Sequence, residues 1–107
     1  MTVRDQLVTR YRALMRELPA RARRERWVLR DDHCFGRVLL DDAVGACWYD
    51  VLDRRRTAFL QLTDEQLAGA VALGERLLVE GDPLPRRLDE RSLDWRGRSR
   101  KGARRRG

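Results

Sequence analysis

The chain has 107 residues, which is enough for one small domain and too few for two. Hydrophobic residues make up 42% and charged residues 38%, a composition that indicates a globular domain with a heavily solvated surface. Residues 1–95 carry 17 basic and 17 acidic side chains, so the net charge of +7 comes entirely from the last twelve positions. This excludes a domain that is basic throughout, and no apolar run approaches the roughly 20 residues of a membrane span.

The cysteine content favours a reducing compartment. Two cysteines, Cys34 and Cys47, are fewer than a small secreted domain usually carries, and the N-terminus lacks the apolar stretch of a signal peptide. On one helix they would lie about 20 Å apart, whereas a disulfide needs Cα atoms within about 7 Å. We therefore expect two unpaired thiols in a cytoplasmic protein.

The first predicted helix covers 3–18. Apolar residues recur along it at helical spacing, and Thr2 with Asp5 resembles a capping box at its start. Pro19 disfavours continuation, which leaves 20–26 as either a further turn of helix or a linker. The apolar run 27–29 is too short to assign and is expected to be an extended or irregular segment packed on the core.

A second helix is predicted over 32–48. Asp31 and Asp32 supply candidate N-caps, and the apolar residues that follow have helical spacing. Gly45 weakens the end of this helix. A hairpin around 39–44 is the alternative, but the alternation of apolar and polar residues that a strand requires is missing.

The third and fourth helices are predicted over 64–80 and 83–93. Thr63 and Gln66 form a capping box at the start of the third, and Gly81 is the expected stop. Asp82-Pro83 is typical of the start of a helix.

The segment 96–107 contains seven basic residues, no acid and a single apolar residue. It cannot bury a core, so we predict that it is disordered. The sequence thus predicts a mainly α fold: a single four-helix domain at 1–95, followed by a disordered Arg-rich tail at 96–107.

One polar pattern is a candidate catalytic or binding site. His33, Arg37 and Asp41 stand at i, i+4 and i+8, so all three share one helix face. Arg37 could hold an anion, with His33 and Asp41 as an acid–base pair beside it. The alternative is a local Arg37–Asp41 ion pair that only supports the helix.

Other kinds of site find little support. One His and two Cys are too few for a structural zinc site, and no glycine-rich phosphate loop is present, so we predict no metal and no cofactor. The aromatic residues near the site are expected in the core, with a pocket lining or base stacking as the alternative: Trp48, Tyr49 and Trp95.

Four runs carry a resemblance to a known family: 32–41 (DHCFGRVLLD), 47–49 (CWY), 62–67 (LTDEQL) and 92–97 (SLDWRG). They resemble a family of short bacterial proteins that often carry the label of GNAT-type acetyltransferases, and the match covers most of 1–97. The resemblance implies acyl transfer. The acyl-CoA loop of that superfamily is Arg/Gln-x-x-Gly-x-Gly/Ala between a strand and a helix, whereas the nearest run here, 66–71, ends in valine inside a predicted helix.

The charge distribution suggests a function. We predict a non-enzymatic accessory protein whose tail contacts nucleic-acid phosphates. The tail residues that would do so are Arg96, Arg98, Arg100, Lys101, Arg104, Arg105 and Arg106. Two alternatives stay open: a small enzyme or metabolite-binding domain built on His33, Arg37 and Asp41, and a protein-interaction adaptor or homodimer.

Overall fold

Four α-helices dominate the computed structural model, which describes residues 1–98. In chain order they are α1 (Val3–Glu25), α2 (Asp32–Val44), α3 (Asp64–Glu80) and α4 (Leu84–Arg98), with two short 3₁₀ helices, Trp48–Asp50 and Ala58–Gln61, between α2 and α3. The described residues contain no strand. The predicted four-helix, mainly α fold is therefore confirmed, and the alternative hairpin at 39–44 is wrong.

Helix α1 begins where the sequence predicts and ends later. The Thr2 hydroxyl accepts from the backbone N–H of Asp5, and the Asp5 carboxylate accepts from the N–H of Thr2, so the capping box is complete. The helix then runs through Pro19 to Glu25, seven residues beyond the predicted end. Pro19 removes one helix hydrogen bond, but Leu18, Pro19 and Ala22 are all buried, and their packing offsets that loss.

The segment after α1 is irregular and anchors on the core, as predicted. Trp27 and Leu29 are almost fully buried, while Val28 between them is exposed. The Trp27 ring meets the edge of Phe35 with ring centroids 6.2 Å apart, which joins this segment to α2.

Helix α2 ends at Val44, four residues before the predicted end. Gly45 adopts the left-handed conformation (φ 70°), and its N–H bonds to the carbonyl of Asp41, as is typical of a helix C-terminus. The chain turns there and places Trp48 and Tyr49 in the 3₁₀ helix beside α2.

Helix α3 has the predicted bounds, including the capping box of Thr63 and Gln66 and the stop at Gly81. It packs chiefly against α1, and α2 packs against both. Helix α1 comes close to α3 at Gly74, where an added Cβ would lie only 2.7 Å from Leu14 Cδ1.

Helix α4 starts one residue later than predicted and extends to Arg98 instead of ending at 93. It packs mainly against α2. Leu84, Pro85 and Leu88 are its buried apolar residues, and the position four residues after Leu88 is the buried Ser92. The apolar stripe therefore stops before the helix does, which is why the pattern predicted a shorter element.

The predicted boundary of the disordered tail falls partly on α4. Residues 96–98 belong to this helix, whereas the remaining predicted tail, 99–107, lies outside the described residues. None of the helices in the described part of the chain combines the length and apolarity that crossing a bilayer requires.

Candidate functional site

Five polar side chains between α2 and α4 form one hydrogen-bonded chain, which we call the α2–α4 polar network: Arg37, Asp41, Asp89, Ser92 and Arg96. At its centre is Asp41, whose side chain is fully buried. The hydroxyl of Ser92 donates to Asp41 Oδ2 at 2.5 Å, and the backbone N–H of Trp48 donates to Asp41 Oδ1 at 2.9 Å. Arg96 donates to both oxygens, from Nε at 3.2 Å and from Nη2 at 3.3 Å.

The other end of the network is an ion pair between α2 and α4. Arg37 donates from Nη2 to the carboxylate of Asp89 and from Nη1 to Ser92 Oγ at 2.9 Å. Ser92 thus uses its hydroxyl as donor to Asp41 and as acceptor from Arg37. The predicted Arg37–Asp41 ion pair is wrong, because each of these residues takes its oppositely charged partner from α4.

The α2–α4 polar network is electrically neutral and largely shielded from solvent. It holds two guanidinium groups and two carboxylates, and the side chains of Arg37, Asp89 and Arg96 are only 16–21% exposed. Burial lowers the pKa of Arg96, but the Asp41 charge and a hydrogen bond with Tyr49 outweigh it, so the pKa is raised. Arg96 is therefore a structural cation of the α2–α4 interface.

A pocket of about 300 Å³ opens beside the network. Its lining comes from one face of α2 and from the 3₁₀ helix that follows: His33, Gly36, Arg37, Leu40, Trp48 and Tyr49. The rings of Trp48 and Tyr49 meet edge to face, with centroids 4.5 Å apart and planes at 72°. A Cβ built on Gly36 meets no atom within 4 Å, so this position leaves the pocket open.

Two arginines lie close to the aromatic side of the pocket. The guanidinium carbon of Arg96 is 4.6 Å from the centroid of the Tyr49 ring, and that of Arg54 is 4.3 Å from it. Both distances are within the range of cation–π attraction. Arg54 begins an exposed basic run, 54–56.

The structure separates the three residues of the predicted helix face. His33 and Arg37 both line the pocket, and His33 is 79% exposed. Asp41 does not line the pocket; it lies buried against α4. Trp48 and Tyr49 both line the pocket, which was the alternative to a place in the core, and Trp48 also packs against the core from its partly buried position.

The predicted phosphate-binding residues fall into two groups. Arg96 is committed to Asp41, and Arg98 ends α4. The rest lie outside the described residues: Arg100, Lys101, Arg104, Arg105 and Arg106. The sequence analysis did not identify Asp89 or Ser92 as site residues. The spacing 88–92–96 could have indicated Ser92, because positions four residues apart share a helix face and polar residues here follow the buried Leu88.

The described residues also bring three potential metal ligands together at the start of α2. Ligand atoms of Asp31, His33 and Cys34 lie within 4.8 Å of one another. This set is one ligand short of a structural zinc site. Arg23 lies 3.6 Å from the Asp31 carboxylate, and the positive end of the helix dipole also opposes a cation there.

Comparison of the chain with protein-family models, with curated proteins and with solved structures produced no match. The resemblance to acetyltransferase-labelled bacterial proteins therefore stays a prediction.

Proposed function

We propose that this protein binds single-stranded nucleic acid in the cytoplasm, holding the phosphates with the basic residues that end the chain: Arg98, Arg100, Lys101, Arg104, Arg105 and Arg106. Arg96 is left out of this set because it already neutralises Asp41. The two unpaired thiols fit a reducing compartment.

The observation that carries the proposal is the position of the end of α4. The last turns of this helix place Arg96 against the ring of Tyr49, which Arg54 also contacts, and the basic residues follow Arg96 in the sequence. Surfaces that bind single strands without sequence preference combine cations that track the backbone with aromatic rings on which bases stack. Trp48, Tyr49 and Arg54 supply rings and a cation near the end of α4, the basic residues after Arg96 would supply the other cations, and residues 1–95 carry no net charge.

A second candidate is a small-molecule site at the pocket. The observation in its favour is that His33 and Arg37 line the same cavity. An acid–base pair of His33 with Asp41 has no support, since Asp41 is buried and bonded to Ser92, Arg96 and the backbone of Trp48. Binding by the basic segment remains the proposal, because it also accounts for the excess charge.

The test is the salt dependence of binding by the full-length chain. Each phosphate contact on a single strand contributes roughly −0.7 to the slope of log K against log salt concentration, so six contacts would give at most about −4. We expect a slope between about −2 and −4 for a fluorescently labelled single strand, measured by anisotropy. Weak dependence on base sequence is also expected, because phosphate contacts do not read bases.

The matched variant changes the six basic residues to glutamine in the full chain. Binding by this variant is expected to fall to background. A second variant, in which each of these arginines is replaced by lysine, keeps the positive charges and should preserve the slope of log K against log salt concentration. Arg16→Gln with Arg24→Gln, which removes two exposed charges from α1, is the control and should have little effect. Undiminished binding by the six-glutamine variant, or no binding by the wild type at low salt, overturns the proposal.

A further inference from the structure

We propose that the pocket between α2 and the 3₁₀ helix receives one unpaired nucleobase of the bound strand. This inference rests on the proposed function and names what the pocket contributes to it, which is a site for a flat aromatic ring.

The lining of the pocket suits a ring. Trp48 and Tyr49 contribute aromatic rings to the lining, Leu40 is an apolar and almost buried contact, and Gly36 contributes no side chain. The Tyr49 ring is also contacted by the guanidinium groups of Arg54 and Arg96. A volume of about 300 Å³ is at the lower end of the range for small-molecule sites, roughly 300–1,000 Å³. The walls are therefore those of a small, mostly apolar site, in which stacking supplies the attraction.

The charges nearby favour a ring that carries a phosphate. Arg54 is exposed and lies 4.3 Å from the Tyr49 centroid, at the aromatic side of the pocket. Arg37 adds little net charge because Asp89 pairs with it. Arg54 thus offers a cation at the rim, where a base joined to a sugar–phosphate backbone would carry its phosphate.

Gly36 provides the variant that tests the pocket. A Cβ at this position meets no atom within 4 Å, so Gly36→Leu should fold and occupy the space that the base would take. Gly69 on α3 is the matched control, since it is exposed, is also helical and also has no atom within 4 Å of a built Cβ. Gly69 does not line the pocket.

Binding is measured by anisotropy with a short labelled oligodeoxyadenylate and with the same oligomer made abasic, which keeps the phosphates and removes the bases. We expect the wild type to bind the intact oligomer about tenfold more tightly than the abasic one, a difference within the range for stacking one base. Gly36→Leu should lose this preference and retain the salt slope, whereas Gly69→Leu should behave as the wild type.

Equal affinity of the wild type for the intact and abasic oligomers overturns the pocket proposal without any variant, and so does an unchanged preference in Gly36→Leu. In both cases salt-dependent binding of the abasic oligomer would leave the proposed function standing. Absence of salt-dependent binding to either oligomer would contradict the proposed function itself.

Free adenosine monophosphate distinguishes the source of the base. If the strand is the source, the mononucleotide should compete only weakly with the oligomer. Direct binding of the mononucleotide, measured by isothermal titration calorimetry, that is as strong in the six-glutamine variant as in the wild type and is lost in Gly36→Leu would assign the pocket to free nucleotides and overturn the strand as its occupant.

Discussion

At the scale of single residues, Asp41 is the group on which the contact between α2 and α4 depends most. Asp41→Ala would leave the guanidinium of Arg96 in a mostly buried site without its counter-ion. Breaking a buried ion pair from one side costs about 3–5 kcal/mol, and we expect a loss of that order in the free energy of unfolding measured with urea.

The neighbouring carboxylate is the control for this prediction. Asp42, the next residue on α2, also pairs with an arginine of α4, Arg91, but the two side chains are 30% and 57% exposed. Exposed pairs are worth about 0–1 kcal/mol, so Asp42→Ala should cost far less. Similar losses for the two variants would show that the buried network does not hold α4 in place.

Sequence spacing identified Asp41 and Arg37 as candidate site residues but predicted the wrong partners for them. Spacing along a helix shows only neighbours on that helix, so an i, i+4 pair was the natural expectation. The actual partners Asp89, Ser92 and Arg96 stand more than 50 positions away on α4. The pocket was foreseen only in part, because its aromatic wall depends on the turn after Gly45.

At the scale of the helices, three glycines should respond differently to alanine. A Cβ at Gly36 or Gly69 meets nothing within 4 Å. Each change should therefore raise the free energy of unfolding by about 0.5–1 kcal/mol, the ordinary cost of glycine within a helix. At Gly74 the new Cβ would lie 2.7 Å from Leu14 Cδ1, and Leu14 is fully buried.

Gly74→Ala is consequently expected to lower the thermal melting temperature, while the other two changes raise it. Thermal unfolding of the three variants and the wild type, followed by circular dichroism, measures these melting temperatures. A melting temperature of Gly74→Ala above that of the wild type would mean that α1 and α3 tolerate a wider separation than the packing indicates.

Helix starts proved more predictable than helix ends. The starts of α1 and α3 follow from capping boxes, which involve residues three apart and need no information from elsewhere in the chain. The ends of α1 and α4 depend on tertiary contacts. Pro19 stays helical because its surroundings are buried, and α4 continues past its apolar stripe because Ser92 and Arg96 bond to Asp41.

At the scale of the whole molecule, a half-buried ion pair links α1 and α3, the two helices that pack most extensively against each other. Arg10 on α1 donates to both carboxylate oxygens of Glu75 on α3. The hydrogen bond from Arg10 lowers the pKa of Glu75 below the ordinary value; burial opposes this shift, and the charge of Arg10 adds to it. A carboxylate with a lowered pKa stabilises the fold above the ordinary pKa and loses this effect as the pH falls through the lowered one.

The folded protein should therefore lose less stability on acidification when Glu75 is replaced in Glu75→Gln. We expect its melting temperature to lie below that of the wild type at neutral pH and to fall less steeply on acidification below the ordinary glutamate value of 4.5. Glu90→Gln, which removes an exposed carboxylate from α4, is the control. A parallel acid response of wild type and Glu75→Gln would contradict this role for Glu75.

The bond between Arg96 and Asp41 also determines where the chain can be shortened. Counting charges places the boundary of the neutral body after Trp95, but the folded unit includes Arg96. A protein cut at 95 would retain a buried carboxylate and lose its cation, so a loss of binding in it would mix a lost tail with a damaged helix contact. A cut after Arg98 respects the fold: it keeps the arginine that belongs to the interior and removes only charges beyond the last helix.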